Sequence, residues 1–421
     1  KNRSHSLRPS PQSLLNRPAA LVPLAADAAT LPLAPCSASA AASSPTSSLP
    51  PCASPVPLPF HRLLSVAASA VSPKPSFDVK EYLVATCGLT RAQALKASAK
   101  LSHLKSPNNP DAVLAYLAGL GLSSADVAAL VAKDPLFLCT GVDRTLAPIV
   151  VDLTGLGLSH IELTRLLLLA PSCFRSKPVV SSLQYYLSLM GSYQNLLRVI
   201  KHNPGILNSS LEKVVKPNAA FLKECGLGDC DIAKLCIAKP RMLATNPERL
   251  QEMAACAEGL GVPRRSVMFR HALCTVKSLG NAEKIATQVD NLKNTFRWSD
   301  AEVRIAVSKH PLTLTRSKEI LQRKSEFLIS EVGLEPTYIA YRPAMLSYSL
   351  DGRLRPRYYV LKFLKENGLL DHGRDYHTAV ACTDKVFVEK FICPHKEAAP
   401  HLAEDYEASC RGEVPTRFRF A

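Results

Sequence analysis

A single residue type recurring at a nearly fixed interval limits what this chain can fold into more than any other feature. Prolines stand at 135, 171, 204, 240, 311 and 343, Ala272 occupies the place of a seventh mark, and successive marks lie 36, 33, 36, 32, 39 and 32 residues apart. Each proline follows a run of apolar residues recurring at three and four residue offsets, and is itself followed by two or three apolar residues, as in Leu136, Phe137 and Leu138. Offsets of this kind describe one face of an α-helix. A period in the thirties is that of stacked helical pairs, in which no unit can bury its apolar face alone.

Local punctuation gives the unit its shape. Ser159 with Glu162 and Ser299 with Glu302 match a capping box, and Ser123 with Asp126 is a shorter version. There the hydroxyl accepts from an orphan amide of the first turn and the acid reaches back to the cap amide. At the other end the proline lacks an amide donor and restricts the residue before it, so the helix stops. A second helix is expected after each turn, for example over residues 211–224 and 316–331. The copy beginning at Gly261 is degenerate, with Ala272 standing where the proline should be. The turn at Cys173 and Phe174 also departs from the pattern.

The resulting fold class is all-α, a solenoid of proline-marked helical units over residues 76–370, with 371–421 as a cap or tail. With 421 residues, 47% of them hydrophobic and 20% charged, there is ample material for a core, which rules out a wholly disordered or collagen-like chain. The prolines, the leucines and the single Trp298 are read as packing residues. Thirteen scattered cysteines form no local disulfide framework and point to a reducing compartment.

Residues 1–75 differ in kind. They hold fourteen of the 32 prolines, no glycine, six basic side chains and only Asp27 as an acid. An Arg- and Ser-rich, nearly acid-free segment has the bias of an organellar transit peptide, and its apolar stretches are broken too often to span a bilayer. Phe60 to Ser65 is its best amphipathic stretch. Mitochondrion is the expected destination, with chloroplast as the alternative.

The repeat resembles the mitochondrial transcription termination factor family, mTERF, especially its plant organellar branch. The residues that carry the likeness are Pro135-Leu136-Phe137-Leu138, Pro204-Gly205-Ile206-Leu207, Pro240-Arg241-Met242-Leu243, Pro311-Leu312-Thr313-Leu314 and Pro343-Ala344-Met345-Leu346. Tyr82 to Thr90 adds a further match near the start, and the resemblance covers about residues 78–400. It implies a nucleic-acid-binding superhelix acting in organellar transcription, at termination or initiation, or in RNA processing. It implies no catalytic centre and leaves DNA and RNA both open.

Charge agrees with a polyanionic partner. The formal net charge is +16, and residues 76–370 are positive block by block, whereas 371–421 carry seven basic against nine acidic side chains. Three clusters are the candidate phosphate contacts: Arg264, Arg265 and Arg270; Arg316, Lys318, Arg323 and Lys324; and Arg353, Arg355, Arg357, Lys362 and Lys365. Side chains of this kind position a strand on its phosphates rather than read its bases. Tyr358 and Tyr359 lie among the last cluster, where a stacked base competes with ordinary packing.

Other chemistry is weakly signalled. Cys225, Cys230 and Cys236, and the group His372, His377, Cys382, Cys393 and His395, lack metal-ligand spacing. No phosphate-binding loop, nucleophile elbow or HExxH helix is present. The expectation is a monomeric factor with no enzyme activity, cofactor, metal or membrane span, bound to organellar DNA or RNA, with protein partners also open. A helical-repeat scaffold for protein interactions is the alternative.

Overall fold

The computed structural model describes residues 77–413, and the expected transit segment lies outside them. Among the described residues every regular element is helical: twenty α-helices, joined by short 3-10 and π turns, with no strand. The chain is an all-α helical-repeat fold, as the period requires.

The corners are built as the prolines dictate. Five of them open a five-residue 3-10 turn: Pro135–Cys139, Pro171–Arg175, Pro204–Asn208, Pro311–Thr315 and Pro343–Ser347. The residue ahead of each proline is driven out of the helical region, because the pyrrolidine ring collides with a helical predecessor. Thus Asp134, Asn203 and His310 take φ of −136°, −146° and −150° with ψ of 84°, 79° and 77°. The side chains two and three places after the proline then point inward: Phe137 and Leu138, Ile206 and Leu207, Met345 and Leu346 are all buried. Cys173 and Phe174 do the same at the second corner, so that turn obeys the rule despite its unusual sequence.

Helix starts follow the capping signals. Ser123, Ser159 and Ser299 each form a complete box with Asp126, Glu162 and Glu302, and so does Thr90 with Gln93. The helix expected from Arg316 begins instead at Lys318 because Ser317 caps it, and it loosens into a π turn over Glu326–Glu331. The stretch 211–224 likewise opens with a π turn, Leu211–Val215, before the α-helix Lys216–Glu224.

The degenerate copy folds differently. With Ala272 at the mark, nothing interrupts the helix Phe269–Leu279, and Ala272 is buried inside it. The preceding residues, 263–268, form a turn in place of the usual first helix. The hydrophobic core divides beyond this copy. One cluster runs from Leu83 to Ile285 and a second from Leu292 to Tyr406, with Leu260 and Leu279 packed against both. Residues beyond 370 share the second core through Phe387, Leu402 and Tyr406. Trp298 is 4% exposed, stacks on Phe296 at 4.6 Å and donates its indole N–H to the Pro336 carbonyl, one unit on.

Units are also stitched at equivalent positions. Lys133, two residues before its proline, donates from Nζ to the carbonyls of Leu168 and Leu169 at 3.1 and 2.6 Å; Leu169 is two residues before the next proline. Lys309 repeats this with Tyr341 at 3.1 Å. An ammonium on the last carbonyls of a helix also opposes the negative end of its dipole.

Candidate nucleic-acid interface

The first basic cluster sits on the turn that replaces a helix. Arg264 is exposed, 3.0 Å from Glu258, with its guanidinium 5.6 Å from the centre of the Phe221 ring. Arg265 is exposed, adopts φ +64° and donates its backbone N–H to the Cys225 carbonyl at 2.8 Å. Arg270 is half-buried between Asp231, at 3.4 Å, and the His271 ring.

The second and third clusters meet across one acid. Asp351 lies 3.0 Å from Arg323 and 3.9 Å from Arg355, and Arg355 also reaches Glu331 at 3.8 Å. Lys318 is exposed at the start of its helix, and Arg316 is half-buried with its Nε enclosed. Arg353 lies over the Tyr348 ring at 4.9 Å, Lys362 stands 3.8 Å from Glu366, and Lys365 donates to the Arg374 carbonyl at 3.1 Å. The run from Arg353 to Lys365 is therefore not one free basic face.

Two of the expected phosphate contacts are corrected outright. Lys324 is 5% exposed and donates from Nζ to the Leu346 carbonyl at 2.7 Å. Arg357 is fully buried, over the Phe387 ring at 4.5 Å, and donates from Nη1 to the carbonyls of Ala379, Val380 and Cys382. The physical reason is common to both. A corner leaves carbonyls facing inward that no helix satisfies, and a buried carbonyl without a donor is costly. At other corners an asparagine does this work: Asn109 donates to Leu138 and Thr140, and Asn218 to Leu243 and Thr245. Lys324 and Arg357 are the cationic versions of the same device.

Tyr358 is likewise structural. Its hydroxyl donates to the Glu331 carbonyl at 2.6 Å, and its ring meets Phe327 and Tyr376 edge-on. It lines a cleft of about 540 Å³ with Tyr338 and Tyr376. All three hydroxyls are spent on protein acceptors: Glu331, Asp375 and Leu354.

Further basic residues stand at the corners themselves, together with Arg316 of the second cluster. The residue ahead of the mark is Asp134, Ala170 or Asn203 in the early units, then Lys239, His271, His310 and Arg342. Five places after the mark stand Thr140, Ser176, Ser209 and Thr245, then Lys277, Arg316 and Tyr348. These corners touch: Lys277 Nζ donates to Thr245 Oγ1 at 2.9 Å, and His310 is hydrogen-bonded to Ser347. Burial, aided by Arg316 and His271, pushes the His310 pKa down, and burial with Arg249 and Arg241 does the same to Lys277. The signal is present in the sequence as basic residues flanking the marks, where the architectural role of the prolines is the more conspicuous feature.

Among the described residues no group of three or more His, Cys, Asp or Glu could hold a metal ion, and no helix is long and apolar enough to cross a membrane. Cys225 and Cys236 are buried free thiols, and burial raises the pKa of both.

Comparison with known proteins places this geometry. A family model described as mTERF matches residues 92–388. The transcription termination factor MTERF8, chloroplastic, of Arabidopsis thaliana is 23% identical over 312 residues, 71% of this chain and 60% of that protein. The transcription termination factor MTEF18, mitochondrial, of the same plant is 20% identical over 296 residues, covering 70% and 50%. The transcription termination factor MTERF15, mitochondrial, is 23% identical over 203 residues, covering 48% and 45%. The chain thus spans about half to three-fifths of the length of these relatives. The family match contains every mark from Pro135 to Pro343, and this chain belongs to the mTERF family.

Proposed function

We propose that this protein is an organellar nucleic-acid-binding regulator of gene expression, acting by occupying its target rather than by catalysis. Its processes would be transcription, at termination or initiation, or RNA processing. The observation that carries the reading is family membership joined to Lys239, Lys277, Arg316 and Arg342, which flank the marks of the later units. Such cations add a salt-sensitive, sequence-independent attraction for phosphates, and corner residues are placed to a fixed register by the repeat beneath them. Relatives named for chloroplast and for mitochondrion support an organellar site of action; mitochondrion is the first proposal and chloroplast the second.

The deciding experiment is crosslinking in the native organelle followed by sequencing of both bound RNA and bound DNA. Enrichment at defined RNA sites assigns the protein to RNA processing, and enrichment at DNA promoters or terminators assigns it to transcription. Recovery of proteins alone, with neither nucleic acid enriched, overturns the proposal in favour of a protein-interaction scaffold.

A further inference from the structure

The corner at Pro240 borders an open cavity of about 460 Å³. Four basic side chains wall it, His202, Lys239, Arg241 and Lys277, over the apolar Ile237 and Pro240, and no carboxylate lines it. The basic residues come from three successive units, so the stacking, not local sequence, assembles them. Lys277 is held in place by its bond to Thr245 Oγ1. The side-chain charges that perturb Lys277 are those of Arg249 and Arg241, both positive, and Lys239 acts with Arg270 on the neighbouring Cys274 thiol. Converging cations with no counter-charge repel one another, and an anion placed among them relieves that repulsion.

Chemistry and size select the anion. A guanidinium fork grips two oxygens of one tetrahedral group, and two ammonium groups add point charges from other sides. The volume falls within the range of small-molecule sites, enough for a phosphate with part of an attached sugar. Beyond this cavity the same repeat positions carry the cations Arg316 and Arg342, beside the imidazoles of His271 and His310, whose pKa burial lowers, whereas before it they carry Asp134, Ala170, Asn203, Thr140, Ser176 and Ser209. At these two positions, one before the mark and five after it, cations therefore start here and continue toward the later units, whereas the early corners hold Lys133, bound to the Leu168 and Leu169 carbonyls, and Arg175, paired with Asp134.

We propose that the Pro240 corner cavity seats a backbone phosphate of the bound nucleic acid, held by Arg241, Lys239 and Lys277, and that the strand runs from there along the later corners. This assignment rests on the nucleic-acid reading above and adds the seat and the direction. The basic clusters on helices and turns, such as Arg264 with Glu258 and Arg323 with Asp351, are already engaged by acids and contribute less.

The test uses the full chain and fluorescence anisotropy with labelled 30-nucleotide DNA and RNA, single- and double-stranded, over a series of salt concentrations. The variant Lys239→Gln/Arg241→Gln is compared with Lys100→Gln/Lys105→Gln, a pair of exposed lysines in the first units, and thermal melting confirms that both fold. The cavity variant is expected to weaken binding about tenfold and to reduce the salt slope by about one to two, with the control unchanged. Should the Lys239/Arg241 pair prove too disruptive to fold, Lys277→Gln is read in the same way. Wild-type binding with an unaltered slope in the cavity variant overturns this inference and leaves the function standing. No binding of any nucleic acid by wild type overturns both. In that case inorganic pyrophosphate raising the melting temperature of wild type but not of the variant would identify a free-phosphate site instead.

Discussion

Arg357 Nη1 donates to the carbonyl oxygen of Cys382 at 2.7 Å, from a helix of one unit into the turn of the next. The same guanidinium reaches Asp384 at 3.3 Å, and that carboxylate also accepts from the Tyr406 hydroxyl at 2.6 Å. An arginine in a run of five basic residues is thus the internal brace of the last corner.

Replacing Arg357 should therefore unfold rather than merely unbind. Arg357→Gln leaves inward carbonyls without donors and is expected to cost about 3–5 kcal/mol. A urea denaturation midpoint checks this. Arg357→Lys should recover part of the loss, since a lysine fills the equivalent role at Leu346.

Lys324 makes stability depend on pH. Burial and the neighbouring Arg316 push its ammonium down to about 8 from an ordinary 10.5. Between those values the unfolded chain holds the proton that the folded chain has released, so this group favours folding increasingly as pH rises from about 8 to 10.5. The slope approaches about 1.4 kcal/mol per pH unit. Cysteines whose pKa is raised by burial act in the opposite sense near there, so the quantity to follow is wild type minus Lys324→Met. That difference should move in favour of wild type on going from pH 7.5 to 9.5, and a flat difference would refute the assignment.

Gly226 is irreplaceable on two counts. Its φ is +89°, and a Cβ there would stand 2.4 Å from Arg265 Cγ and 2.8 Å from Arg265 Cα. Gly226→Ala should cost about 1–3 kcal/mol from the backbone conformation alone, and more from displacing the turn at 263–268. Thermal melting compared with Gly157→Ala, where φ is +89° but no atom lies within 4 Å, separates the two contributions.

The capping boxes are independent of one another. Ser159→Ala and Ser299→Ala each remove a cap acceptor, and each should lower stability by about 1 kcal/mol. They belong to helices packed in different cores, so the double variant should show the sum. A loss much smaller than the sum would indicate coupling between the cores.

Helix starts, corners and unit length were legible because each is a local rule written in a few adjacent residues. Ser299 with Glu302 starts a helix wherever the chain goes, and Pro311 ends it for steric reasons that act on His310 directly. Even the irregular unit was announced by Ala272, although only the structure shows that the helix there runs on uninterrupted. The candidate interface was less legible. Arg264, Arg265, Lys318 and Arg323 are exposed as a charge count suggests, but Lys324 and Arg357 are not, and Lys239, Arg241 and Lys277 were masked by the architectural role of their neighbours.

By itself the sequence determined that this protein is a stack of proline-cornered helical pairs, since helix capping and proline sterics depend on residues three or four apart. Tertiary structure alone decided which cations face outward. Whether a lysine or arginine is spent on an inward carbonyl depends on a corner some 22 to 25 residues away, as with Lys324 and Leu346 or Arg357 and Cys382. The cavity at Pro240 likewise exists only because three units stack, bringing His202, Lys239 and Lys277 together from positions no local pattern connects.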